Sequence, residues 1–258
     1  MSRVIALLYS AACYALFLAV FLYAVGFVAG VVVPKDIDDG VAGTPLLAVL
    51  VNTVLLLVFA LQHSVMARPA FKRVWTRILP PVAERSTFVL ATCIALVLLF
   101  WQWRPLPSLV WSVDAPSARA TLYALAAIGW LLVLTSTFLI NHFELFGLRQ
   151  AWRQGKPALD EPFVTRAFYR IVRHPIMLGF LIAFWAAPDM SVGHLLFALA
   201  TTGYILIAVK YLEERDLVRA YGDTYRDYQR RVPMLLPWPK RASKPGTIVS
   251  TARVQREA

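Results

Sequence analysis

Two short polar segments near the carboxyl end of this 258-residue chain hold the side chains best suited to chemistry. The first, Arg173–Gly179, opens an apolar block with Arg-His-Pro, and Pro175 suits the first turn of a helix. The exposed backbone N–H groups of a helix start favour anionic ligand groups. The second segment ends the next apolar block in two adjacent carboxylates, Glu213 and Glu214, which can meet a cationic ligand. Together the two segments predict a site for a ligand that carries one negative and one positive group.

Further polar side chains stand at the ends of other apolar blocks and are expected to converge with these segments at one membrane level. They are His63, Glu84, Arg85, His142 and Glu144. A single histidine at a helix end is more often a structural residue than a functional one. Three of the four histidines at one level favour a site, whereas His194, at the opposite end, is expected to be structural.

The elements that position these residues are membrane helices. The chain is 59% hydrophobic and 16% charged, with a mean hydropathy of +0.61, whereas soluble domains are about 45–50% apolar and about 25% charged. A water-soluble globule is therefore excluded, and the fold class predicted is an all-α polytopic transmembrane bundle of five or six membrane helices. The apolar blocks are Val4–Val33, Leu46–Met66, Ser86–Trp103, Ala120–Ile140, Pro175–Ala187 and Val192–Leu212.

The fifth block, Pro175–Ala187, is too short to cross a bilayer. Its thirteen residues cover roughly 20 Å of a ~30 Å hydrocarbon core. Either the helix starts earlier, near Phe168, or its end is recessed in a protein-lined cavity. Residues 188–191 alone separate it from the sixth block, which predicts an antiparallel hairpin. Such a hairpin brings the two carboxylates to the level of the Arg-His-Pro segment.

Charge orients the helices. Segments 67–85, 149–173 and 210–258 contain 5, 6 and 11 Lys or Arg, and Arg3 brings the total to 23 of 26. Basic loops mark the cytoplasmic side, so both termini and the candidate site are predicted to be cytoplasmic. The net charge of +11 then follows from topology and gives no reason to expect a nucleic-acid partner.

The carboxyl-terminal part of the chain predicts a cytoplasmic amphipathic helix. Tyr221, Tyr225, Tyr228 and Val232 recur at helical spacing among charged residues, as on a helix that lies on a membrane surface. We divide the chain into transmembrane helices and loops (1–164), a carboxyl-terminal region that holds both polar segments (165–240) and a disordered tail (241–258). The two cysteines lie in apolar blocks without metal-ligand spacing, so neither a disulfide framework nor a metal site is expected.

The order of these motifs resembles a known superfamily. Arg-His-Pro-x-x-x-Gly, an apolar hairpin, Glu-Glu-Arg and Gly-Asp-x-Tyr-x-x-Tyr look like the isoprenylcysteine carboxyl methyltransferase and phospholipid methyltransferase superfamily over roughly residues 165–240. Segments 62–72, 84–87 and 141–148 are similar to its bacterial methanethiol S-methyltransferase branch. This resemblance implies an enzyme of the bacterial inner membrane. Such an enzyme transfers a methyl group from S-adenosylmethionine to methanethiol or a similar small thiol, and dimethyl sulfide results.

The resemblance also implies roles for individual residues. The expected cofactor-binding residues are Arg173, His174, Pro175, Met177, Gly179, Tyr211, Glu213 and Glu214. Many members of the superfamily have tyrosine where this chain has Met177. The expected substrate-binding residues are His63, Glu84, Tyr169 and Glu144.

The reaction needs a thiolate, because the thiolate and not the thiol is the nucleophile. An alkanethiol is a weak acid, so a base or a positive field must assist near neutral pH. We expect His174 or His142 to accept the proton and Arg173 or Arg85 to supply the field. Charge is lost along the reaction path, which a dry membrane pocket favours.

Two alternatives stay open at this point. The methyl acceptor could be a lipid, either an isoprenylated cysteine carboxylate or a phospholipid amine. The chain could also be a non-enzymatic membrane scaffold or a transport protein. The sequence leaves the oligomeric state open.

Overall fold

The computed structural model describes residues 2–41, 43–156 and 165–238, so the predicted tail (241–258) lies outside the described residues. Helices account for most of the described chain. They are α1 (Arg3–Ala29), α2 (Pro45–Ala67), α3 (Pro69–Trp75), α4 (Glu84–Gln102), α5 (Pro116–Ile140), α6 (His142–Leu145), α7 (Leu148–Trp152), α8 (Pro175–Trp185), α9 (Val192–Ala208) and α10 (Glu214–Arg231). Two strands, β1 (Leu109–Ser112) and β2 (Asp189–Ser191), 3₁₀ turns at Pro81–Ala83 and Ala167–Arg170, and a π-helical segment at Val209–Glu213 complete the described elements.

Five helical segments in the described part of the chain are long and apolar enough to cross a membrane. They are α1, α2, α4 with the turn before it, α5, and the continuous helix that begins with α9. The prediction of a mostly helical protein with at least five candidate membrane-spanning helices is confirmed. Helix α8 has eleven residues and is about 16 Å long, well short of a ~30 Å hydrocarbon core.

Local sequence explains where the spanning helices begin and end. The Ser2 hydroxyl accepts a hydrogen bond from the backbone N–H of Ile5 and caps α1. At the other end Gly30 has φ +66°, a left-handed conformation that glycine adopts without strain. Thr44 caps α2 in the same way as Ser2 caps α1. Such signals mark both ends of α1 and the start of α2, whereas no described side chain caps the starts of α4 and α5.

The core is rich in aromatic side chains and fills the space between α1, α2, α4, α5, α8 and α9. Its fully buried members include Phe27 and Trp103, and Trp130 makes edge contacts with Phe180 and Phe184. Helices α5 and α8 approach most closely at a glycine pair. A Cβ atom on Gly179 would lie 2.6 Å from the carbonyl oxygen of Gly129.

The hairpin predicted from the short 188–191 connection is present. Phe184, near the end of α8, packs on Phe197, near the start of α9. Met177, near the start of α8, packs in a cluster with Ile205 and Val209 at the other end of α9. The two helices are therefore antiparallel. Because α8 begins at Pro175, the alternative of an earlier helix start near Phe168 is wrong.

The hairpin bend carries a two-stranded antiparallel sheet that the sequence did not predict. Strand β1 pairs with β2 in a register that sets Ser112 opposite Asp189. The Arg119 guanidinium donates to both carboxylate oxygens of Asp189, at 2.9 and 2.6 Å, and the Ser112 hydroxyl donates to one of them at 2.6 Å. The sheet and this ion pair tie the start of α5 to the hairpin.

At the opposite end, α9 continues into α10 through a π-helical segment, Val209–Glu213. Single π turns occur mostly inside α-helices at functional sites. Helix α10 is interrupted at Gly222, whose φ is +56°. Glu213 ends the π segment and Glu214 follows it, and both carboxylates lie beside His174 at the start of α8.

Candidate functional site

The centre of the candidate site is a buried ion pair between Arg173 and Glu214, each 8% exposed. The guanidinium Nε and Nη2 both donate to Glu214 Oε1, at 2.6 and 2.5 Å. Its third nitrogen donates to the carbonyl oxygens of Gln229 at 3.2 Å and Val232 at 2.5 Å. The side-chain amide of Gln229 donates to the other carboxylate oxygen of Glu214 at 3.0 Å. Both charged groups are thus engaged within the protein.

His174 lies beside this pair, 5% exposed. Its Nε2 is 3.2 Å from Glu214 Oε1, and its Nδ1 is 3.5 Å from Glu213 Oε2. Burial by itself lowers the pKa of His174. The hydrogen bonds to Glu213 and Glu214 and their negative charges outweigh that effect and raise the pKa to about 9. Near neutral pH the ring is therefore an imidazolium with both nitrogens donating.

Glu213 differs from its neighbour in being open, since 44% of its side chain is exposed. Nearby, α8 starts at Pro175, and no described side chain caps that helix start. Within the described chain, the amide N–H groups of Ile176 and Met177 have no helix carbonyl to bond. An open carboxylate beside an open helix start could hold a ligand with one positive and one negative group.

Backbone hydrogen bonds close the site from the carboxyl-terminal side. The N–H of Arg173 donates to the carbonyl oxygen of Pro233 at 2.9 Å. The N–H of His174 donates to that of Met234 at 3.2 Å. The segment after α10 therefore holds the segment before α8 in place.

Tyrosines connect α10 to the rest of the site. Tyr225 and Tyr228 are buried, and the Tyr225 hydroxyl lies 3.5 Å from Glu214 Oε1. The Tyr228 hydroxyl donates to the carbonyl oxygen of Tyr169 at 2.5 Å. Sequence reasoning missed Gln229, although it lies one helical turn after Tyr225 and so shares its face.

Other residues predicted to bind a cofactor have neighbours of their own. Met177 packs in the apolar cluster at the end of α9. Gly179 is in contact with α5, where the approach of the two helices accounts for the glycine. Tyr211 is 46% exposed, and the charged ends of Lys210 and Arg215 lie 5.3 and 5.5 Å from its ring centroid.

His142 is enclosed elsewhere, in an aromatic cage. Its ring stacks on Phe138 with centroids 3.9 Å apart. The Thr137 hydroxyl donates to the carbonyl oxygen of Leu134, so it accepts from Nδ1–H at 2.7 Å. Nε2 then accepts from the Tyr14 hydroxyl at 2.8 Å. Burial lowers the pKa of this ring, and no described hydrogen bond joins it to the Arg-His-Pro segment.

The acidic residues predicted to bind substrate are both paired. Glu84 is buried, with Lys72 Nζ at 3.6 Å and the side-chain amide of Gln150 at 3.3 Å. Glu144 forms an ion pair with Arg153. Neither carboxylate belongs to the network around Glu214 as the described hydrogen bonds define it.

His63 and Arg85 meet around one aromatic ring. The ring of Phe88 lies 5.0 Å from the His63 ring and 5.9 Å from the Arg85 guanidinium. Phe59 stacks on His63 with centroids 5.5 Å apart. The His63 Nδ1 is 3.4 Å from the Thr92 hydroxyl.

The far end of the molecule has its own polar residues and a cavity. His194 is buried, and its Nε2 donates to the carbonyl oxygen of Phe184 at 2.9 Å. A cavity of about 160 Å³ lies there, lined by His194 and Asp189 among others. A second cavity of about 360 Å³ lies beside Arg3 and Lys156. In the part of the chain that is described, no three His, Cys, Asp or Glu side chains are grouped as metal ligands.

These features define a helical membrane protein whose polar network joins the hairpin to the segment after it. The family model named NnrU protein matches residues 51–230, and the chain belongs to that family. Methanethiol S-methyltransferase of Mycobacterium tuberculosis is 59% identical over 244 residues, which cover 93% of this chain and 99% of that protein. The predicted resemblance to methanethiol S-methyltransferases is confirmed.

Two further relatives show the range of similarity. Methanethiol S-methyltransferase 1 of Bradyrhizobium diazoefficiens is 53% identical over 238 residues, which cover 92% of this chain and 83% of that protein. Nurim of Mus musculus is 32% identical over 174 residues, which cover 63% of this chain and 65% of nurim. No solved structure matches this chain at significant similarity.

Proposed function

We propose that this protein is a membrane methyltransferase that transfers a methyl group from S-adenosylmethionine to methanethiol and so forms dimethyl sulfide. The observation that carries the proposal is the 59% identity to a methanethiol S-methyltransferase over nearly the whole of both chains. Relatives of the same name at 53% identity cover 92% of this chain.

The residues around α8 fit the proposed methyl donor. S-adenosylmethionine supplies a transferable methyl on a sulfonium, and it also carries an ammonium and a carboxylate. The open carboxylate of Glu213 suits a positive group, and the uncapped start of α8 suits a negative one. We assign these two features to donor binding.

The buried residues beside them have a supporting role. Arg173 and Glu214 satisfy one another and fix the start of α10 against the start of α8. The imidazolium of His174 bridges Glu214 to Glu213 and so orients the open carboxylate. Tyr225 and Gln229 complete the hydrogen bonds around Glu214. The donor-binding carboxylate is thus held in place before any ligand arrives.

We further assign the site to the cytoplasmic face of a bacterial inner membrane. Of the 26 Lys and Arg, 23 lie in the segments at that end of the helices. Helix α10 buries Tyr225 and Tyr228, whereas the charged residues beside them, such as Arg226 and Asp227, are exposed. These features suit a helix that lies on the membrane surface and covers the site.

The proposal is tested with detergent-purified protein. We expect S-adenosylmethionine to bind in isothermal titration, and dimethyl sulfide to appear in the headspace once methanethiol is added. Glu213→Gln should weaken donor binding about 10- to 100-fold, because a charged hydrogen-bond partner contributes about 1.5–3 kcal/mol. The matched control is Asp223→Asn, an exposed carboxylate on α10 that should bind as the wild type does.

The possible failures of this experiment are distinct. Absence of binding to folded wild-type protein would overturn the donor assignment. Binding without dimethyl sulfide would overturn the thiol acceptor and point to a lipid acceptor. An equal loss in the Glu213→Gln and Asp223→Asn proteins would show that Glu213 has no particular role.

A further inference from the structure

The reaction requires a proton acceptor, and the described histidines differ in their capacity to serve. His174 donates from both nitrogens near neutral pH and has no free lone pair. His142 has both nitrogens in hydrogen bonds within its cage. His194 lies at the far end beside Phe184. His63 differs from these three histidines, because the described part of the chain gives a hydrogen bond to its Nδ1 alone.

The hydrogen bonds around His63 fix its tautomer. The Thr92 hydroxyl donates to the carbonyl oxygen of Phe88 at 2.9 Å, so its one proton is used. It can then only accept from His63, which places the proton of the neutral ring on Nδ1. The lone pair on Nε2 remains. Among the described residues, Nε2 has no hydrogen-bond partner.

A second acceptor near His63 lacks a donor as well. The side-chain oxygen of Gln62 is buried and has no hydrogen-bond partner in the described chain. Its amide nitrogen lies 3.5 Å from the Thr92 hydroxyl, which also contacts His63. Unsatisfied buried acceptors suit a ligand that brings a donor, such as a thiol S–H.

Charges around His63 connect it to the donor site. The ion pair between Arg68 and Asp216 joins the end of α2, five residues after His63, to the first turn of α10. Glu213 immediately precedes that turn, and its carboxylate contacts His174. Arg68 is neutralised by Asp216 at 2.7 Å. In contrast, no carboxylate of the described residues lies within 4.0 Å of the Arg85 guanidinium.

We propose that His63 Nε2 accepts the proton of the acceptor thiol and that Arg85 stabilises the thiolate. This inference rests on the proposed function. The S–H bond breaks, its electron pair stays on sulfur, and the proton moves to Nε2. The thiolate sulfur then forms a bond to the methyl carbon, whose bond to the donor sulfonium breaks with the electron pair leaving on the donor sulfur. The proton later passes from His63 to water.

The test compares two thiols of different acidity in His63→Gln and wild-type protein. Methanethiol needs a base, whereas hydrogen sulfide is a stronger acid and is largely ionised at about pH 8. Release of S-adenosylhomocysteine reports both reactions. For methanethiol we expect kcat/KM of His63→Gln to fall about 10²- to 10⁴-fold. For hydrogen sulfide we expect a change of less than about tenfold, because its proton has already left.

Controls separate this inference from the function on which it rests. Donor titration of His63→Gln should match the wild type and show that the variant is folded. His194→Gln should retain full activity with both thiols. Wild-type protein without methanethiol turnover would contradict the proposed function itself. Equal losses for the two thiols in His63→Gln, or no loss, would overturn the role of His63 while the function stands.

Arg85→Gln gives an independent measurement should His63→Gln fail to fold. Loss of the positive charge raises the pKa of the bound thiol, so the rising limb of kcat against pH, which reports groups in the enzyme–substrate complex, should move to higher pH. The titratable and charged groups of this region are His63, which shares the Phe88 ring with Arg85, the Lys72–Glu84 pair and the Arg68–Asp216 pair. All are retained in the variant. A limb that does not move would overturn the role of Arg85.

Discussion

The guanidinium of Arg173 and the carboxylate of Glu214 face one another across 41 residues of sequence and are both 8% exposed. Two nitrogens of the arginine donate to a single carboxylate oxygen, at 2.6 and 2.5 Å. The pair joins the segment before α8 to the first residue of α10. Because the pair is buried, we expect its removal to lower the stability of the fold.

Removal of one partner should destabilise the protein strongly. Arg173→Gln leaves the Glu214 carboxylate buried with a poorer set of donors, and breaking a buried pair in this way costs about 3–5 kcal/mol. Arg119→Gln breaks the more exposed pair with Asp189 and should have a much smaller effect. Thermal unfolding of both variants in the same detergent measures the difference. Equal losses would contradict the importance of burial.

Stability should also fall as the pH rises above neutrality. The folded pKa of His174 is raised to about 9, whereas an unfolded histidine has a pKa of about 6.5. The stabilisation is therefore fully present below about pH 6.5 and is lost as pH rises through about 9. We expect the unfolding temperature of wild-type protein to decline across this window relative to that of His174→Gln. Parallel curves for the two proteins would contradict the assignment of the imidazolium.

A single methyl group at the helix contact should be costly. In Gly179→Ala the added Cβ would lie 2.6 Å from the carbonyl oxygen of Gly129 and 2.9 Å from the backbone nitrogen of Val133. Backbone atoms cannot yield as a flexible side chain can, so we expect a loss of about 1–3 kcal/mol. Gly203→Ala in α9 is the matched control, because nothing lies within 4 Å of its added Cβ. A similar result for both alanines would show that the α5–α8 contact adapts.

The orientation of the helices predicts a labelling pattern. Asp114 and Arg231 are exposed and lie at opposite ends of the bundle, while Cys13 and Cys93 are buried and free. In intact cells a membrane-impermeant thiol reagent should label Asp114→Cys and leave Arg231→Cys unlabelled until the membrane is opened. Labelling of Arg231→Cys in sealed cells would reverse the assigned orientation.

Local sequence predicted the hairpin and the meeting of its ends. Pro175 marks a helix start by its own chemistry, and the 188–191 connection is too short for any arrangement except an antiparallel pair. From those two facts the approach of Glu213 to His174 follows without any knowledge of long-range packing.

Other features depend on residues far apart in sequence and could not be predicted in this way. The Tyr14 hydroxyl that donates to His142 Nε2 lies 128 residues away in the chain, so the sequence could not show this hydrogen bond. Strands β1 and β2 lie in segments separated by helices α5 to α8, and each is too short to show a strand pattern. The π segment at Val209–Glu213 changes the direction in which the side chains after it point from the helix axis. Helical periodicity in the sequence therefore does not reveal that Glu214 is buried while Glu213 is exposed.

The bonds from Arg173 and His174 to Pro233 and Met234 set an order of events during synthesis. All five long helices emerge from the ribosome before residue 233 does. A nascent chain can therefore insert its helices and still lack the finished site. The carbonyl groups of Pro233 and Met234 are the last acceptors that the site needs. A chain that ends before them would still be a membrane protein, but its proposed ligand site would lack these two hydrogen bonds.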